Sequence, residues 1–124
     1  MISMRMDGDF ETSKWLKSFK VQRFRNILNE AGRMGVAALS ASTPTRTGKT
    51  ASSWEYSITE TSTGMTVNWY NTNVNQGVPI AVILQYGHGT GTGGFVQGID
   101  YVNPAMKPIF NKIAEKIEEA ARNV

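Results

Sequence analysis

The chain has 124 residues, 40% of them hydrophobic and 19% charged, which suits one soluble domain with enough apolar side chains for a core without cross-links. It has no cysteine and one histidine, which excludes disulfides, thiol catalysis, thiolate metal sites and multi-histidine zinc sites. The net charge of +3 is unevenly spread: residues 1–50 hold nine Lys/Arg against four Asp/Glu, and residues 51–124 hold four against six.

The opening Met1-Ile2-Ser3-Met4-Arg5-Met6-Asp7-Gly8-Asp9 has no apolar segment of signal-peptide length, and residues 1–12 read as a flexible or contact-making arm on a single domain spanning 1–124. From about Ser13 to Ser42 the pattern is helical, with Phe24, Ile27, Leu28, Ala31, Met34, Gly35, Ala38 and Leu39 three and four apart on one face. Gly32 and Gly35 each cost a helix about 1 kcal/mol against alanine, which points to a close approach by a neighbouring backbone. Pro44 ends the helix, because the residue before a proline avoids helical angles.

Two strands follow. Trp54, Tyr56 and Ile58 alternate with Ser53, Glu55, Ser57 and Thr59; after a turn at Thr61-Ser62-Thr63-Gly64, Met65, Val67 and Trp69 alternate with Thr66, Asn68 and Tyr70. This predicts an antiparallel hairpin with one buried face. Residues 71–77 form a polar, turn-rich link. The segment Pro79–Tyr86 is apolar on both faces, so periodicity leaves strand and short helix open; its core Ile80–Leu84 is too short to span a bilayer. Residues 86–94 form a glycine-dense loop, and Phe95–Val102 reads as a short strand. Asn103-Pro104 offers a cap and a first-turn proline, while Pro108 places the regular helix one turn later. The stripe Ile109, Phe110, Ile113, Ile117, Ala120, Ala121 marks the terminal helix. The expected fold class is α+β: a small antiparallel sheet packed by a long N-terminal and a C-terminal helix.

Two short stretches carry a suggestion of chemistry. Thr43-Pro44-Thr45-Arg46-Thr47-Gly48-Lys49-Thr50 ends in the Gly-Lys-Thr of a phosphate-binding loop. Such a loop needs a glycine where Thr43 stands, backbone N–H groups where Pro44 has none, and a strand before and a helix after it. Here the order is reversed, and the stretch reads as a helix-to-strand turn. His88-Gly89 in the glycine loop resembles an oxyanion loop, but neither a Gly-x-Ser-x-Gly nucleophile turn nor a second histidine accompanies it. The glycine loop as a phosphate nest leads into a strand and lacks a helix dipole. Trp54, Tyr56 and Trp69 as a stacking platform for single-stranded nucleic acid are set against their place on the apolar face, where they read as core; Tyr70 alone lies on the other face. No catalytic residue, cofactor site or metal ligand is assigned.

Three stretches in order carry a resemblance to a known family. They are Thr43–Trp54 with its Pro-x-x-Thr-Gly turn into a strand, Ile80–Gly91 with its aromatic, Gly and Thr, and Asp100-Tyr101-Val102-Asn103-Pro104-Ala105 leading into the last helix. Over roughly residues 20–124 the chain resembles the HK97 gp10-like family of tailed-bacteriophage neck, head–tail connector and tail-completion proteins. It departs from many members at Thr50-Ala51, where they have Leu-Arg.

The resemblance implies a non-enzymatic virion protein without cofactors, made in the bacterial host's cytoplasm and built into the neck or tail region. Its partners would be copies of itself in a hexameric or dodecameric ring, neighbouring head-completion, tail-terminator or tail proteins, and genomic DNA passing through the lumen without sequence-specific binding, with no membrane partner. Such a ring needs two unlike surfaces that dock head to tail. The expected assembly contacts are Arg46, Thr47, Gly48 and Lys49 on the turn, and Tyr86, Gly87, His88, Gly89, Thr90, Gly91, Gly93 and Gly94 in the glycine loop. The alternative is a small basic DNA-binding protein, on the charge excess of the N-terminal half.

Overall fold

A computed structural model of the chain describes residues 2–7, 14–44, 48–61, 64–89 and 92–122. The elements run β1 (Ile2–Asp7), α1 (Lys14–Ser42), a 3₁₀ turn (Ala51–Ser53), β2 (Trp54–Glu60), β3 (Gly64–Asn71), β4 (Val74–Asn75), β5 (Val78–Pro79), α2 (Ile80–Tyr86), β6 (Gly87–Gly89), β7 (Phe95–Gln97) and α3 (Val102–Arg122). The main sheet has the order β1-β3-β2, all antiparallel, and two short ribbons, β4–β5 and β6–β7, stand apart from it. The fold is α+β, with both long helices serving one face of the sheet.

Alternation in the hairpin decides which face that is. Tyr56 opposes Trp69 and Ile58 opposes Val67, so the apolar sets of β2 and β3 share a side. Met65, Val67 and Trp69 are buried there with Trp54, against Leu28, Ala31 and Leu39 of α1 and Met106, Ile109 and Ile113 of α3. The opposite face carries Ser57, Thr59, Thr66, Asn68 and the half-exposed Tyr70. Trp69 is the centre: its ring is fully buried, lies 6.1 Å from that of Phe110, and donates from Nε1 to the Gly32 carbonyl at 3.0 Å. Gly32 and Gly35 admit aromatic rings, where the sequence pointed to a backbone. A Cβ at Gly32 would sit 2.2 Å from the Tyr56 ring, and one at Gly35 2.3 Å from Trp69 Nε1.

Several expectations are corrected. Residues 2–7 of the supposed arm form β1, paired with β3 from Ile2↔Trp69 to Asp7↔Gly64. Ile2 and Met4 rest on the core, a period-two signal too short to stand out in the sequence; residues 8–12 lie outside the described residues. The open segment 79–86 is helix from Ile80 onward. Only Phe95–Gln97 of the expected 95–102 strand is extended. Helix α3 starts at Val102 and runs through Pro108. Pro104 and Pro108 are both exposed, so water can take the carbonyl that Pro108 cannot bond. Nor does Asn103 cap this helix. The caps are Gln85 Oε1, which accepts from the Tyr101 and Val102 N–H groups at 3.0 Å each, and Asp100 Oδ1, which accepts from the Asn103 N–H at 3.3 Å.

On the outer surfaces Arg25 pairs with Glu60 and Lys116 with Glu30. Bonding by Arg25 holds the Glu60 carboxyl below its ordinary range, Lys116 does the same for Glu30, and Gln85 for Asp100. In the other direction, burial pushes the Tyr101 phenol up to about 12, and its hydroxyl donates to the Ala81 carbonyl at 2.7 Å. The signs differ. Lowered carboxylates add stability that is present above their unfolded values and lost as pH falls through the folded ones. A raised phenol adds stability that is present below about pH 10 and lost as pH rises toward 12. The urea midpoint is therefore expected to fall at both extremes. Tyr101→Phe should flatten the alkaline fall relative to wild type, and Glu30→Gln should lessen the acid one.

Candidate assembly interface

The turn after α1 is built from the Gly-Lys-Thr stretch. Thr43 ends the helix by bonding back to Leu39 through both its N–H and its hydroxyl, and its Oγ1 accepts from Trp54 Nε1 at 2.8 Å. Gly48 adopts φ +76°, a left-handed turn that glycine takes at no steric cost. Thr50 is buried: its hydroxyl accepts from Asn73 Nδ2 and its carbonyl from Asn71 Nδ2, each at 2.8 Å. The threonine that would hold magnesium in a nucleotide loop here fastens the turn to the link after β3. Gly48 and Lys49 remain on the surface; Arg46 and Thr47 lie outside the described residues.

The second group lies at the far end of α2, which is about 10 Å long at 1.5 Å per residue. The expected glycine loop is a hairpin. Gly87 opposes Gln97, His88 opposes Val96 and Gly89 opposes Phe95; Gly93 and Gly94 precede β7, and Thr90 and Gly91 lie outside the described residues. Its base is closed tightly. Ile99 N–H donates to Leu84 O at 2.9 Å, and a Cβ at Gly98 would lie 2.4 Å from the Gln85 carbonyl. Gly87, at φ +83°, turns the chain out of α2 under the Phe95 ring. The turn and the hairpin are thus two neighbourhoods, linked through Asn73, whose carbonyl accepts from Ile80 N–H at the start of α2.

Tyr86, one of the expected contacts, is 70% exposed, and beside it stand side chains that the sequence reading passed over: Phe95 is 63% exposed, Ile99 60% and Val96 47%. Val74 and Val78 of the β4–β5 ribbon are exposed as well. The signal was present in the sequence: residues 61–99 contain no Asp, Glu, Lys or Arg. Buried β3 accounts for part of that run, but the two ribbons are on the surface.

The chain finds no match among protein-family models, curated proteins or solved structures.

A second surface lies along β2. Arg33 and Val36 of α1, Trp54, Glu55 and Tyr56 of β2, and Tyr70 of β3 line an open groove of about 450 Å³. Three consecutive residues of one strand line it, so the groove wraps the strand's free side: among the described residues β2 pairs only with β3. Its walls are aromatic and its rim carries one charge of each sign. Sequence reading assigned Trp54 and Tyr56 to the core and missed their second role, because β2 lies at the sheet edge. Among the described residues, no group of three His, Cys, Asp or Glu is placed to hold a metal, and no helix is long and apolar enough to cross a membrane.

Proposed function

We propose that this chain is a non-enzymatic structural subunit of a tailed-phage particle, assembling as a ring in the neck, head–tail joining or tail-completion region around the DNA channel. The observation that carries the reading is the uncharged hairpin at the end of α2, which exposes Tyr86, Phe95, Val96 and Ile99. An exposed apolar patch of this kind is often a contact surface, and a ring subunit buries one at every joint. The three stretches that resemble the HK97 gp10-like family support the same reading, and two of them supply the turn and α2 with its hairpin.

The basic excess of the N-terminal half favours a second reading, a small DNA-binding protein. It is the weaker of the two, since Arg25 of the basic helix is already engaged by Glu60.

The test is to purify particles from infected cells and locate the chain by tagging and electron microscopy. A label at the head–tail joint, in a copy number matching a ring, is the expected result. A chain found only in the soluble lysate would overturn it, and duplex binding in a gel shift that weakens steeply with salt would favour the second reading.

A further inference from the structure

We infer that the β6–β7 hairpin of one copy docks into the groove along β2 of the next copy, with Phe95 seated between Val36, Trp54, Tyr56 and Tyr70. This rests on the ring reading above and names the two unlike surfaces that such a ring requires.

Four observations converge on a second copy as the occupant. A two-stranded ribbon of three residues a side is marginal in water by itself. Phe95 and Val96, adjacent in β7, point to opposite faces of the ribbon, so each face presents an apolar side chain that the ribbon cannot cover. Charge narrows the choice of partner. With no Asp, Glu, Lys or Arg from 61 to 99, the hairpin has no carboxylate, ammonium or guanidinium to pair with phosphates or with a strongly charged protein surface. The same chain carries a groove of matching character, aromatic-walled, with Arg33 and Glu55 at the rim; Trp, Tyr and Arg are the side chains that most often anchor protein joints.

The backbone is complementary too. Among the described residues β2 and β7 each pair along one edge alone, so docking can add a short ladder to the main sheet. The area fits. At their observed exposures Tyr86, Phe95, Val96 and Ile99 present about 450 Å², over half of the ~800 Å² that each side of a stable interface contributes. Because hairpin and groove are different surfaces, the contact is head to tail, the kind of joint from which a ring is built when its rotation closes.

The experiment uses the purified full chain and two substitutions, Phe95→Asp on the hairpin and Tyr70→Asp in the groove, with circular dichroism to confirm that both fold. In sedimentation the wild type is expected to form a closed oligomer, and each variant alone should associate at least roughly thirtyfold more weakly. An equimolar mixture should form dimers and stop there, since the intact hairpin of one variant fits the intact groove of the other. Cysteine cross-linking adds a clean check, because the chain has no cysteine of its own. Phe95→Cys mixed with Glu55→Cys should give a disulfide-linked dimer, and Phe95→Cys alone should not.

Oligomers unaffected by Phe95→Asp, or a mixture that stays monomeric, would overturn the docking while leaving the ring reading to the particle experiment. Self-cross-linking of Phe95→Cys would overturn it in favour of a symmetric hairpin pair. A wild-type monomer at every concentration with no cross-link in the mixture would remove it outright.

Discussion

Gly35→Ala is expected to destabilise the fold by about 2–3 kcal/mol, although the substitution favours the helix. In an exposed helical position, alanine for glycine gains about 1 kcal/mol. At Gly35 the new Cβ would lie 2.3 Å from Trp69 Nε1, 2.5 Å from Cε2 and 2.8 Å from Cζ2. Trp69 cannot swing away, because it is fully buried and its Nε1 is held by the Gly32 carbonyl. Overpacking costs about 1–3 kcal/mol, and tearing Nε1 from its acceptor leaves a buried donor unpaired for a similar amount. The sum exceeds the propensity gain.

Two companions isolate the cause. Ala37→Gly, on the exposed side of the same helix, should cost only about 1 kcal/mol. Trp69→Phe removes the atoms that collide, so Gly35→Ala in that background should cost clearly less than in the wild type, a coupling read from a double-mutant cycle in urea. Gly32→Ala meets the ring of Tyr56. Tyr56 is only half-buried, so its ring has room to yield and the loss should be smaller. A stabilised Gly35→Ala protein would show that the helix and Trp69 do not pack as described.

These glycines mark the border between what sequence shows and what it hides. Period 3.6 over residues 13–42 and period 2 over 54–70 announced α1, β2 and β3 nearly to their ends, because each element has one wet and one dry face. The same periodicity flagged Gly32 and Gly35 as anomalies but pointed to a backbone, because the rings that fill the gap depend on the register that sets Tyr56 opposite Trp69. β1 escaped because six residues give too few repeats. α2 was ambiguous for a different reason: Ile80, Val82 and Ile83 favour strands, and the helix is held from outside, by Tyr101 bonding Ala81 and Ile99 bonding Leu84. Of the candidate site, the turn and the hairpin were visible through Gly48 and the glycine-dense run. The groove was not, because Val36, Trp54 and Tyr70 come together only when α1 crosses the sheet edge.

Gln85→Leu should be at least as costly as Gly35→Ala, about 3–4 kcal/mol, with its effect centred on the junction of α2, the hairpin and α3. Gln85 is 7% exposed and serves three groups at once. Its Oε1 accepts from Tyr101 and Val102 N–H, two of the orphan donors at the start of α3, while its Nε2 donates to Asp100 Oδ1 at 2.7 Å. Leucine has similar volume, so packing changes little. What is lost is the partner of two buried backbone donors, at about 1–3 kcal/mol each, and the bond that holds Asp100 in its capping position. Hydrogen exchange should report the loss first at the Tyr101 and Val102 amides.

Gln85→Glu distinguishes the polar role from simple packing. Ionised, the glutamate still accepts from both amides but faces Asp100 as a like charge, so burial and repulsion raise its folded pKa above the unfolded value near 4.3. A raised acid contributes stability that is present at low pH and lost as pH rises through the folded value. Relative to wild type, Gln85→Glu should therefore gain stability on going from pH 7 to pH 5, while Gln85→Leu should keep a constant deficit over that range. The hairpin is fixed to the same residue, with Gly98 packed on the Gln85 carbonyl. Assembly should accordingly follow stability in this series: the glutamate variant should recover its oligomer at pH 5 and the leucine variant should not. Identical pH profiles for the two would reduce Gln85 to a space-filling residue.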